Sequence, residues 1–519
     1  MRPVRAAMIA ALFTIGTGLS VNAQDVTLTS RDGDVEISGN LLGFDGEFYR
    51  VDTIFGELTV DGSGVLCEGP GCPNLEDFVA RVTLSGAPVI GRVLIPALLE
   101  AFAIRYEYEL SRTSLEDGQY VYGLTNAQSG ALVGEFTLHL STSDEGFADL
   151  LVDATDIVMS MREVRDDEVR RAEELGLGDL NARGRSMIVA LDALVPIVAP
   201  SNPLQAITTP QLAAVLAGEI TNWSDIGGPD APITVHVVTE KSGIGQATQD
   251  RLLAARGGAL VEGAIRHADG QALIEAVAGD PFGLGVTSRS ETGNTWTLAL
   301  RGTCGFTLRA TRRAVKTEDY PLTAPLFLYM PARRFPKLVR EFLTYLRDPS
   351  AQLVVRRAGF VDQAPEEIEI NAQGDRFANA ITQAGSEVGL EELQRMVALL
   401  SPLRRLTTTF RFEAGSARLD AQSRSNVQQL ARALEIGLYD ARRLVFVGFS
   451  DGEGPAAGNR RIAEQRAEAV KTAVIAAAET ANLSRITIET EAFGEAMPMA
   501  CDDSEWGRQV NRRVEVWVR

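Results

Sequence analysis

The amino-acid sequence predicts a multidomain α/β protein that begins with a small β unit. The chain has 519 residues, which is too long for one ordinary core, and 45% hydrophobic with 23% charged residues is typical of globular domains. Apolar and polar residues alternate over residues 25–73, as in antiparallel strands. Helical periods and short apolar strands interleave over residues 74–363, which is typical of α/β domains.

The first 23 residues have the features of a secretory signal peptide. Arg2 and Arg5 precede an apolar stretch, residues 6–19, that is shorter than the roughly 20 residues needed to span a bilayer. Val21, Asn22 and Ala23 fit the small-residue rule for cleavage. We expect cleavage before residue 24 and a mature chain in an oxidising compartment. No cysteine stands directly after the cleavage site, so no lipid anchor is signalled.

Four cysteines occur in the chain. Cys67 and Cys72 flank a short turn of Glu, Gly, Pro and Gly, which favours a disulfide over a metal site that lacks nearby histidines. For Cys304 and Cys501, a disulfide across domains and two buried thiols are equally open. The sequence predicts neither a metal nor a cofactor.

Charge is distributed unevenly along the chain. The net charge is −19, and residues 400–519 are close to neutral, so the acidic excess lies in residues 1–399. A strongly acidic surface is a poor partner for nucleic acid, so that class of ligand is excluded.

The pattern divides the chain into consecutive domains. A β-rich domain is expected at 24–73, an α/β domain at 74–363, and an acidic then helical connector at 364–400. Residues 401–519 predict a compact α/β sandwich. Its expected elements are strands at 406–412, 444–449, 486–490 and 511–518 and helices at 421–436 and 458–480.

Five segments of the middle domain occur in an order and spacing typical of one family. They are residues 154–162, 191–204 (LDALVPIVAPSNPL), 208–226 (TTPQLAAVLAGEITNWSDI), 280–286 and 320–329. Together they resemble the phosphate-transporter type of periplasmic substrate-binding protein. The resemblance covers residues 74–363 and implies a periplasmic-binding-protein (type II) domain of two α/β lobes that close over a cleft.

In that family an oxyanion sits in the cleft, held by backbone N–H groups at helix N-termini and by Ser or Thr hydroxyls. The resemblance implies that the solute is bound by Ser141, Thr142, Ser143, Ser160, Arg162, Ser242 and Gly243. For the serine and threonine run the alternative is helix capping alone, and Arg162 could instead cover an apolar surface.

Two loops depart from the family pattern. Where the family has Arg-x-Asp-Gly-Ser-Gly-Thr, residues 240–246 read Glu-Lys-Ser-Gly-Ile-Gly-Gln, so only the two glycines are kept. Glu240 would repel an anion. The first loop, residues 85–91, is also altered. These changes disfavour phosphate as the solute, although Lys241 and Ser242 could serve another one.

An acid and a base lie fifteen positions apart near the end of the chain. Asp451 follows a predicted strand, and Asn459 and Arg466 lie two turns apart on one face of the next helix. Their segments (446–451 and 459–467), with residues 412–419 and 507–515, resemble the OmpA-like C-terminal domain that binds peptidoglycan.

The OmpA-like resemblance implies a role for each residue of this set. Asp451 would take the ammonium of a stem-peptide diaminopimelate, Arg466 its carboxylate through a bidentate fork, and Asn459 a further hydrogen bond. The alternative is an internal salt bridge between Asp451 and Arg466. The histidine that the family places before its acid is absent here. Arg508, Arg512 and Arg513 are expected to brace the fold.

These observations define three hypotheses. The first is a non-enzymatic periplasmic protein of a Gram-negative bacterium, associated with the cell wall or outer membrane through peptidoglycan, that binds phosphate or another oxyanion. The second is a structural or assembly protein whose cleft no longer binds phosphate and whose β unit contacts an envelope protein. The third, an enzyme, is the weakest because His139, His236 and His267 lie in no metal or triad spacing and no nucleophile elbow occurs.

Overall fold

The fold is described from a computed structural model of the chain. It describes residues 25–74, 78–115, 118–239, 242–254, 257–302, 304, 306–385, 387–413, 416, 418–502 and 505–519. The predicted signal peptide and the pair Glu240 and Lys241 lie outside these residues. Backbone contacts divide the chain into two units, residues 1–80 with 335–337, and residues 81–334 with 338–519.

The first unit is an antiparallel β-sheet, as the alternation of residues predicts. Its strands are β1 (Val26–Ser30), β2 (Glu36–Phe44), β3 (Phe48–Thr53), β4 (Gly56–Asp61) and β5 (Val65–Glu68), in the order β4-β3-β2-β1-β5. Val26, Leu28, Tyr49 and Val51 form its core. The predicted disulfide between Cys67 and Cys72 is present and packs against this core.

The two-lobed domain of the second unit is built on one extended mixed sheet. Its helices and strands, in chain order, are β6 (Ala80–Gly86), α1 (Ile95–Arg105), β7 (Tyr108–Ser114), β8 (Gln119–Asn126), β9 (Leu132–Leu140), α2 (Ser143–Leu151), β10 (Ile157–Ser160), α3 (Asp166–Glu174), β11 (Ser186–Val198), β12 (Ala206–Thr208), α4 (Thr209–Leu216), β13 (Thr234–Val238), α5 (Gly243–Thr248), β14 (Ile265–His267), α6 (Gly270–Gly279), β15 (Gly283–Ser288), β16 (Trp296–Thr297), β17 (Ala299–Arg301), β18 (Thr307–Leu308), α7 (Arg312–Lys316), β19 (Thr323–Tyr329), α8 (Lys337–Tyr345) and α9 (Pro349–Arg357). The main sheet has the order β14-β13-β15-β11-β19-β10-β6-β9-β8-β7, and β12, β17 and β18 form a small second sheet.

Strand β11 connects the two lobes. Its first half pairs with β19 and its second half with β15. The sequence predicts two short strands here, at 188–191 and 195–198. The structure has one continuous strand, because the backbone at Asp192 and Ala193 also pairs with β19. The buried Asp192 carboxylate accepts hydrogen bonds from the hydroxyls of Ser288 and Ser290, the latter at 2.7 Å. Burial raises the pKa of Asp192, and these bonds oppose the rise.

The C-terminal domain is a five-stranded sheet with helices on both faces. Its elements are β20 (Glu367–Ile368), α10 (Gly374–Gln383), α11 (Leu390–Leu400), β21 (Arg404–Arg411), α12 (Ala421–Glu435), β22 (Arg443–Phe449), α13 (Ala456–Ala477), β23 (Thr487–Gly494), α14 (Glu505–Asn511) and β24 (Arg513–Val518), and the sheet order is β20-β21-β24-β22-β23. Helices α12 and α13 pack on one face through Leu430, Val470 and Val474. No helix in the described ranges is both long and apolar enough to span a membrane.

The segment 364–400, predicted as a connector, is part of this packing. Strand β20 pairs with β21, and α11 buries Leu393, Met396 and Leu400 against Trp517 and other side chains on the second face of the sheet. The acidic then helical pattern predicts a connector. The apolar stripe of α11 is buried by packing against the sheet.

A buried charge cluster joins the two-lobed domain to the C-terminal sheet. Glu515 of β24 is fully buried and accepts hydrogen bonds from Arg376 and from Arg513 Nε, the latter at 2.7 Å, while Arg405 Nε lies 3.3 Å from its Oε2. Arg405 in turn donates to Asp319 of the two-lobed domain at 2.8 Å. Burial would raise the pKa of Glu515, but the three arginines outweigh it and hold that pKa far below its usual range.

Glu318 lies beside this cluster, and its raised pKa makes the free energy of unfolding depend on pH. Burial, with the nearby Asp420 carboxylate, raises the pKa of Glu318 to about 8, although Arg411 opposes the rise, and Asp319 and Asn426 also face it. The folded state therefore holds a proton that the unfolded state releases near pH 4.5. This stabilisation is complete below about pH 4.5 and is lost as the pH rises through about 8.

We expect the free energy of unfolding of the wild type to fall by a few kcal/mol between pH 5 and pH 9, since one pKa unit corresponds to about 1.4 kcal/mol. Glu318→Gln cannot lose a proton, so its profile should be flatter over the same range. Chemical denaturation at several pH values measures the difference. Parallel profiles for the two proteins would contradict the assignment.

Candidate functional site

A pocket of about 410 Å³ opens on the C-terminal domain. It is lined by Ser416, Ser450, Asp451, Glu453, Asn459, Ile462, Gln465, Arg466, Ala469 and Arg512. The three residues predicted to bind peptidoglycan, Asp451, Asn459 and Arg466, are thus brought to one pocket. It lies where the chain leaves β22 and enters α13, whose first turn carries Asn459.

Gly448 allows α13 to approach β22 at this point. A Cβ atom at position 448 would lie 2.0 Å from the carbonyl oxygen of Ala463. Any other residue would force the helix away from the strand. The close packing places Arg466, one turn beyond Ala463, beside the loop that carries Asp451.

Asp451 is held by Arg512, which the sequence predicts to brace the fold. Its Oδ2 accepts a hydrogen bond from Arg512 Nη1 at 2.8 Å, and Arg512 Nη2 donates to Glu505 at 2.6 Å. The Asp451 side chain is 11% exposed. Among the described residues no donor reaches its second oxygen, Oδ1, so this oxygen remains available for a ligand.

Arg466 is a charged residue of the pocket that has no ion-pair partner among the described residues. Its guanidinium lies 5.0 Å from the ring centroid of Phe412, and within the described ranges it has neither a hydrogen bond nor an ion pair. Burial lowers the pKa of Arg466, the Arg512 cation lowers it further, and Asp451 opposes both. The internal salt bridge to Asp451, considered as an alternative, is absent between these two described residues. A partly buried cation without a carboxylate favours an anionic ligand.

The side chain of Asn459 is oriented by two hydrogen bonds that its nitrogen donates. Its Nδ2 donates to Glu495 Oε2 at 2.6 Å and to the carbonyl of Gly454 at 3.4 Å. No donor in the described part of the chain reaches its side-chain oxygen. The amide can therefore accept one hydrogen bond from a ligand.

The sequence predicts that Arg508, Arg512 and Arg513 brace the fold, and each of them bonds acids within the domain. Arg513 is buried in the charge cluster, and Arg508 pairs with Glu505 at 2.9 Å. Arg512 bonds Asp451 and Glu505 and also lines the pocket. Sequence reasoning did not identify Arg512 as a pocket residue. The available signal was the alternation of Val514, Val516 and Val518, which places every second residue on the same face of the strand. That alternation stops before position 512, where the strand has not yet begun.

The second candidate site lies between the lobes, at the N-termini of α2 and α5. Thr142 caps α2 by accepting from Glu145 N at 3.1 Å, while Glu145 Oε2 accepts from Thr142 N at 3.0 Å. Ser242 caps α5 by accepting from Gly245 N at 2.9 Å. Both hydroxyls therefore act as helix caps.

The other cleft hydroxyls also bind protein atoms. Ser143 Oγ accepts from Met161 N at 3.1 Å, and Ser160 Oγ donates to the Arg162 carbonyl at 2.7 Å. The Ser141 hydroxyl lies 3.3 Å from that of Ser85. These side chains are brought together, as predicted, but they hydrogen bond within the protein.

One side chain occupies a position that an anion would need. The backbone N–H of Ser143 donates to Gln246 Oε1 at 3.0 Å, so an amide oxygen from α5 accepts at the N-terminus of α2. On the same side, a Cβ atom at Gly243 would lie 3.1 Å from Ala87 Cβ and 3.2 Å from Met161 Sδ. The two helix ends are therefore in contact across the cleft.

Arg162 is neutralised by two carboxylates. It donates to Asp144 Oδ1 at 2.9 Å and to Glu168 Oε2 at 2.9 Å, and it stacks 4.8 Å from the Phe147 ring centroid. Burial would lower the pKa of Arg162, but Glu168 and Asp144 outweigh it and raise that pKa. A cation with two acids offers little charge to an oxyanion.

His139 forms no catalytic relay in the described ranges. His139 Nδ1 lies 3.3 Å from Ser85 Oγ and 3.4 Å from Asp149 Oδ2, so one nitrogen faces both groups. A relay needs the acid and the nucleophile on opposite nitrogens. The described residues contain no group of acids, histidines and cysteines suited to a metal.

Comparison with known proteins identifies two domains. Residues 135–349 match the PBP superfamily domain, and residues 411–512 match the OmpA family. The chain therefore joins a domain resembling phosphate-binding proteins to an OmpA-like C-terminal domain. This combination indicates a location in the cell envelope.

Individual relatives match one domain or the other. Protein SphX of Synechococcus elongatus is 26% identical over 270 residues, covering 48% of this chain and 77% of the relative. The phosphate-binding protein PstS of Borreliella burgdorferi is 24% identical over 196 residues, covering 37% and 70%. The outer-membrane lipoprotein YfiB of Pseudomonas aeruginosa is 34% identical over 101 residues, covering 20% and 56%. A solved ABC-type phosphate transport receptor from Vibrio cholerae has a TM-score of 0.41 and 18% identity, covering 54% of this chain and 99% of the receptor.

Proposed function

We propose that this protein is held on the peptidoglycan of a Gram-negative periplasm by the pocket of its C-terminal domain, which binds the diaminopimelate of a stem peptide. The observation that carries the proposal is the partly buried Arg466 guanidinium, which has no ion pair within the described ranges and lies in the same pocket as Asp451. A zwitterionic amino-acid end supplies a carboxylate for Arg466 and an ammonium for Asp451 Oδ1, the oxygen that Arg512 does not bind.

Each charged group has a distinct role in this proposal. Arg466 receives the carboxylate through two parallel N–H donors, because a guanidinium matches a carboxylate bidentately. Asp451 accepts the ammonium on Oδ1 while Arg512 keeps Oδ2. Asn459 accepts a further hydrogen bond from the ligand through its side-chain oxygen.

Co-sedimentation with purified sacculi tests the proposal. The full mature chain should sediment with sacculi that contain diaminopimelate and should be released by an excess of the free stem peptide. A chain that stays in the supernatant at every concentration of sacculi would refute cell-wall binding.

For the two-lobed domain, we propose the second hypothesis, a structural role in which the cleft binds no phosphate. Three contacts support it: Gln246 accepts the Ser143 N–H, Asp144 and Glu168 neutralise Arg162, and Gly243 packs against Ala87 and Met161. A phosphate ion would have to displace the Gln246 oxygen and approach beside the Asp144 carboxylate. Both requirements disfavour binding.

We therefore expect no heat of binding when phosphate, sulfate or another oxyanion is titrated into the full chain. A protein that is known to bind phosphate serves as the positive control under the same conditions. Saturable binding of phosphate at micromolar concentrations would restore the solute-binding hypothesis. Gln246→Ala should then strengthen that binding, because it frees the Ser143 N–H.

We propose further that the protein is not an enzyme. The arrangement of His139, Ser85 and Asp149 supports this, because the ring presents a single nitrogen to both partners. Incubation with sacculi should release no soluble wall fragments. Release that depends on the protein and is lost in Ser85→Ala would establish an enzyme.

A further inference from the structure

A loop that follows β23 connects the pocket to the two-lobed domain. Cys501 in this loop forms a disulfide with Cys304, and their Cα atoms are 5.7 Å apart. The backbone N–H of Cys304 also donates to Cys501 Sγ at 3.0 Å. A Cβ atom at Gly302 would lie 2.3 Å from the same sulfur. Glycine at position 302 therefore allows the two segments to meet.

The residue after Cys501 contacts the acidic side of the pocket. Asp502 Oδ2 accepts the backbone N–H of Gly452 at 2.8 Å, and Gly452 directly follows Asp451. A Cβ atom at Gly452 would lie 2.9 Å from that oxygen, so the approach is close. Asp502 thus holds the backbone that carries Asp451.

Asn511 fixes the same loop from the other side. Its Nδ2 donates to Asp502 Oδ1 at 2.8 Å and to the Ala500 carbonyl at 2.8 Å, and its oxygen accepts from Met499 N at 2.6 Å. Asn511 is fully buried and is followed by Arg512, which bonds Asp451. Hydrogen bonds therefore connect the loop that carries the disulfide to Gly452, which follows Asp451, and to Asn511, the residue before Arg512.

We infer that Asp502, held in place by the disulfide between Cys304 and Cys501, is a positioning residue of the wall-binding pocket. The inference rests on the proposed function of that pocket. Without the disulfide the loop gains conformational freedom, which binding must then remove at a cost in affinity. A bond between the two domains therefore sets how tightly one of them binds the cell wall.

Two variants of the full chain test this inference independently. Asp502→Ala removes the contact to Gly452 and leaves the disulfide intact, whereas Cys304→Ser with Cys501→Ser removes the disulfide. Each should weaken binding of a diaminopimelate stem peptide by about fivefold in calorimetry, as expected for one hydrogen bond. Asp502→Asn keeps an oxygen for the Gly452 N–H and should recover part of the loss.

The other disulfide provides the matched control. Cys67→Ser with Cys72→Ser should bind like the wild type. A soluble dithiol reduces a disulfide by transferring two electrons and two protons, giving two thiols and its own cyclic disulfide. Treatment of this control variant should lower its affinity to that of the variant without Cys304 and Cys501.

A double-mutant cycle separates positioning from a general loss of structure. If Asp502 acts through Asp451, Asp502→Ala should cost much less in an Asp451→Asn background than in the wild type. Equal costs in both backgrounds, or unchanged affinity of Asp502→Ala and of the Cys304 and Cys501 variant, would overturn the inference. Failure of the wild type to bind the peptide would instead refute the proposed function.

Discussion

Arg466→Ala is expected to lower the affinity for a diaminopimelate stem peptide by about 100-fold, which corresponds to about 2.7 kcal/mol. The guanidinium is the one group that we assign to the ligand carboxylate, and among the described residues it stacks on the Phe412 ring without a hydrogen bond or ion pair. Its removal breaks no internal ion pair, so the loss should appear in binding and not in stability. Calorimetric titration of the peptide measures it.

Arg461→Ala is the matched control, because Arg461 is an exposed arginine on the same helix and does not line the pocket. This variant should bind like the wild type. If both alanine variants bind with equal affinity, Arg466 does not contact the ligand. If Arg466→Ala also unfolds at a much lower temperature, the residue is structural and the assignment fails.

Glu515→Ala is expected to destabilise the protein by about 3–5 kcal/mol, the cost typical of removing one partner from a buried ion pair. Glu515 is fully buried among Arg376, Arg405 and Arg513. Without the carboxylate, the nearby acid left to these arginines among the described residues is Asp319, and of the three it bonds only Arg405. Unfolding by urea, followed by circular dichroism, measures the change.

Glu489→Ala provides the comparison for Glu515. Glu489 lies on strand β23 of the same sheet, where it pairs with Arg443 at 2.6 Å and its side chain is 41% exposed. Exposed pairs contribute less than about 1 kcal/mol. A loss for Glu515→Ala as small as that for Glu489→Ala would show that the buried cluster does not stabilise the junction.

Short-range patterns predicted much of the C-terminal domain. The apolar stripe of α13 follows from the spacing of its residues: Ala463, Ala467, Val470 and Val474 are buried and Ala477 is partly buried. The same periodicity places Asn459 and Arg466 on one face of the helix. Three of the ten pocket residues, Asp451, Asn459 and Arg466, could be named from the sequence through its OmpA-like resemblance, and their binding role stays a prediction.

Contacts between distant segments could not be predicted in this way. Cys304 and Cys501 are 197 positions apart, and no local pattern distinguishes a pair from two thiols. The hydrogen bond from the Ser143 N–H to Gln246 depends on how the two lobes meet. Arg512 was missed because it directly precedes β24, where strand alternation no longer defines which way a side chain points.

The most direct measurement of cell-wall binding compares two stem peptides that differ in one group. In one peptide the cross-linking residue is diaminopimelate. In the other it is lysine, which keeps the ammonium but lacks the carboxylate that Arg466 would bind. Calorimetry with the full chain should show saturable binding of the diaminopimelate peptide and binding of the lysine peptide that is weaker by about 100-fold. Equal affinity for the two peptides, or no binding of either, would contradict the account.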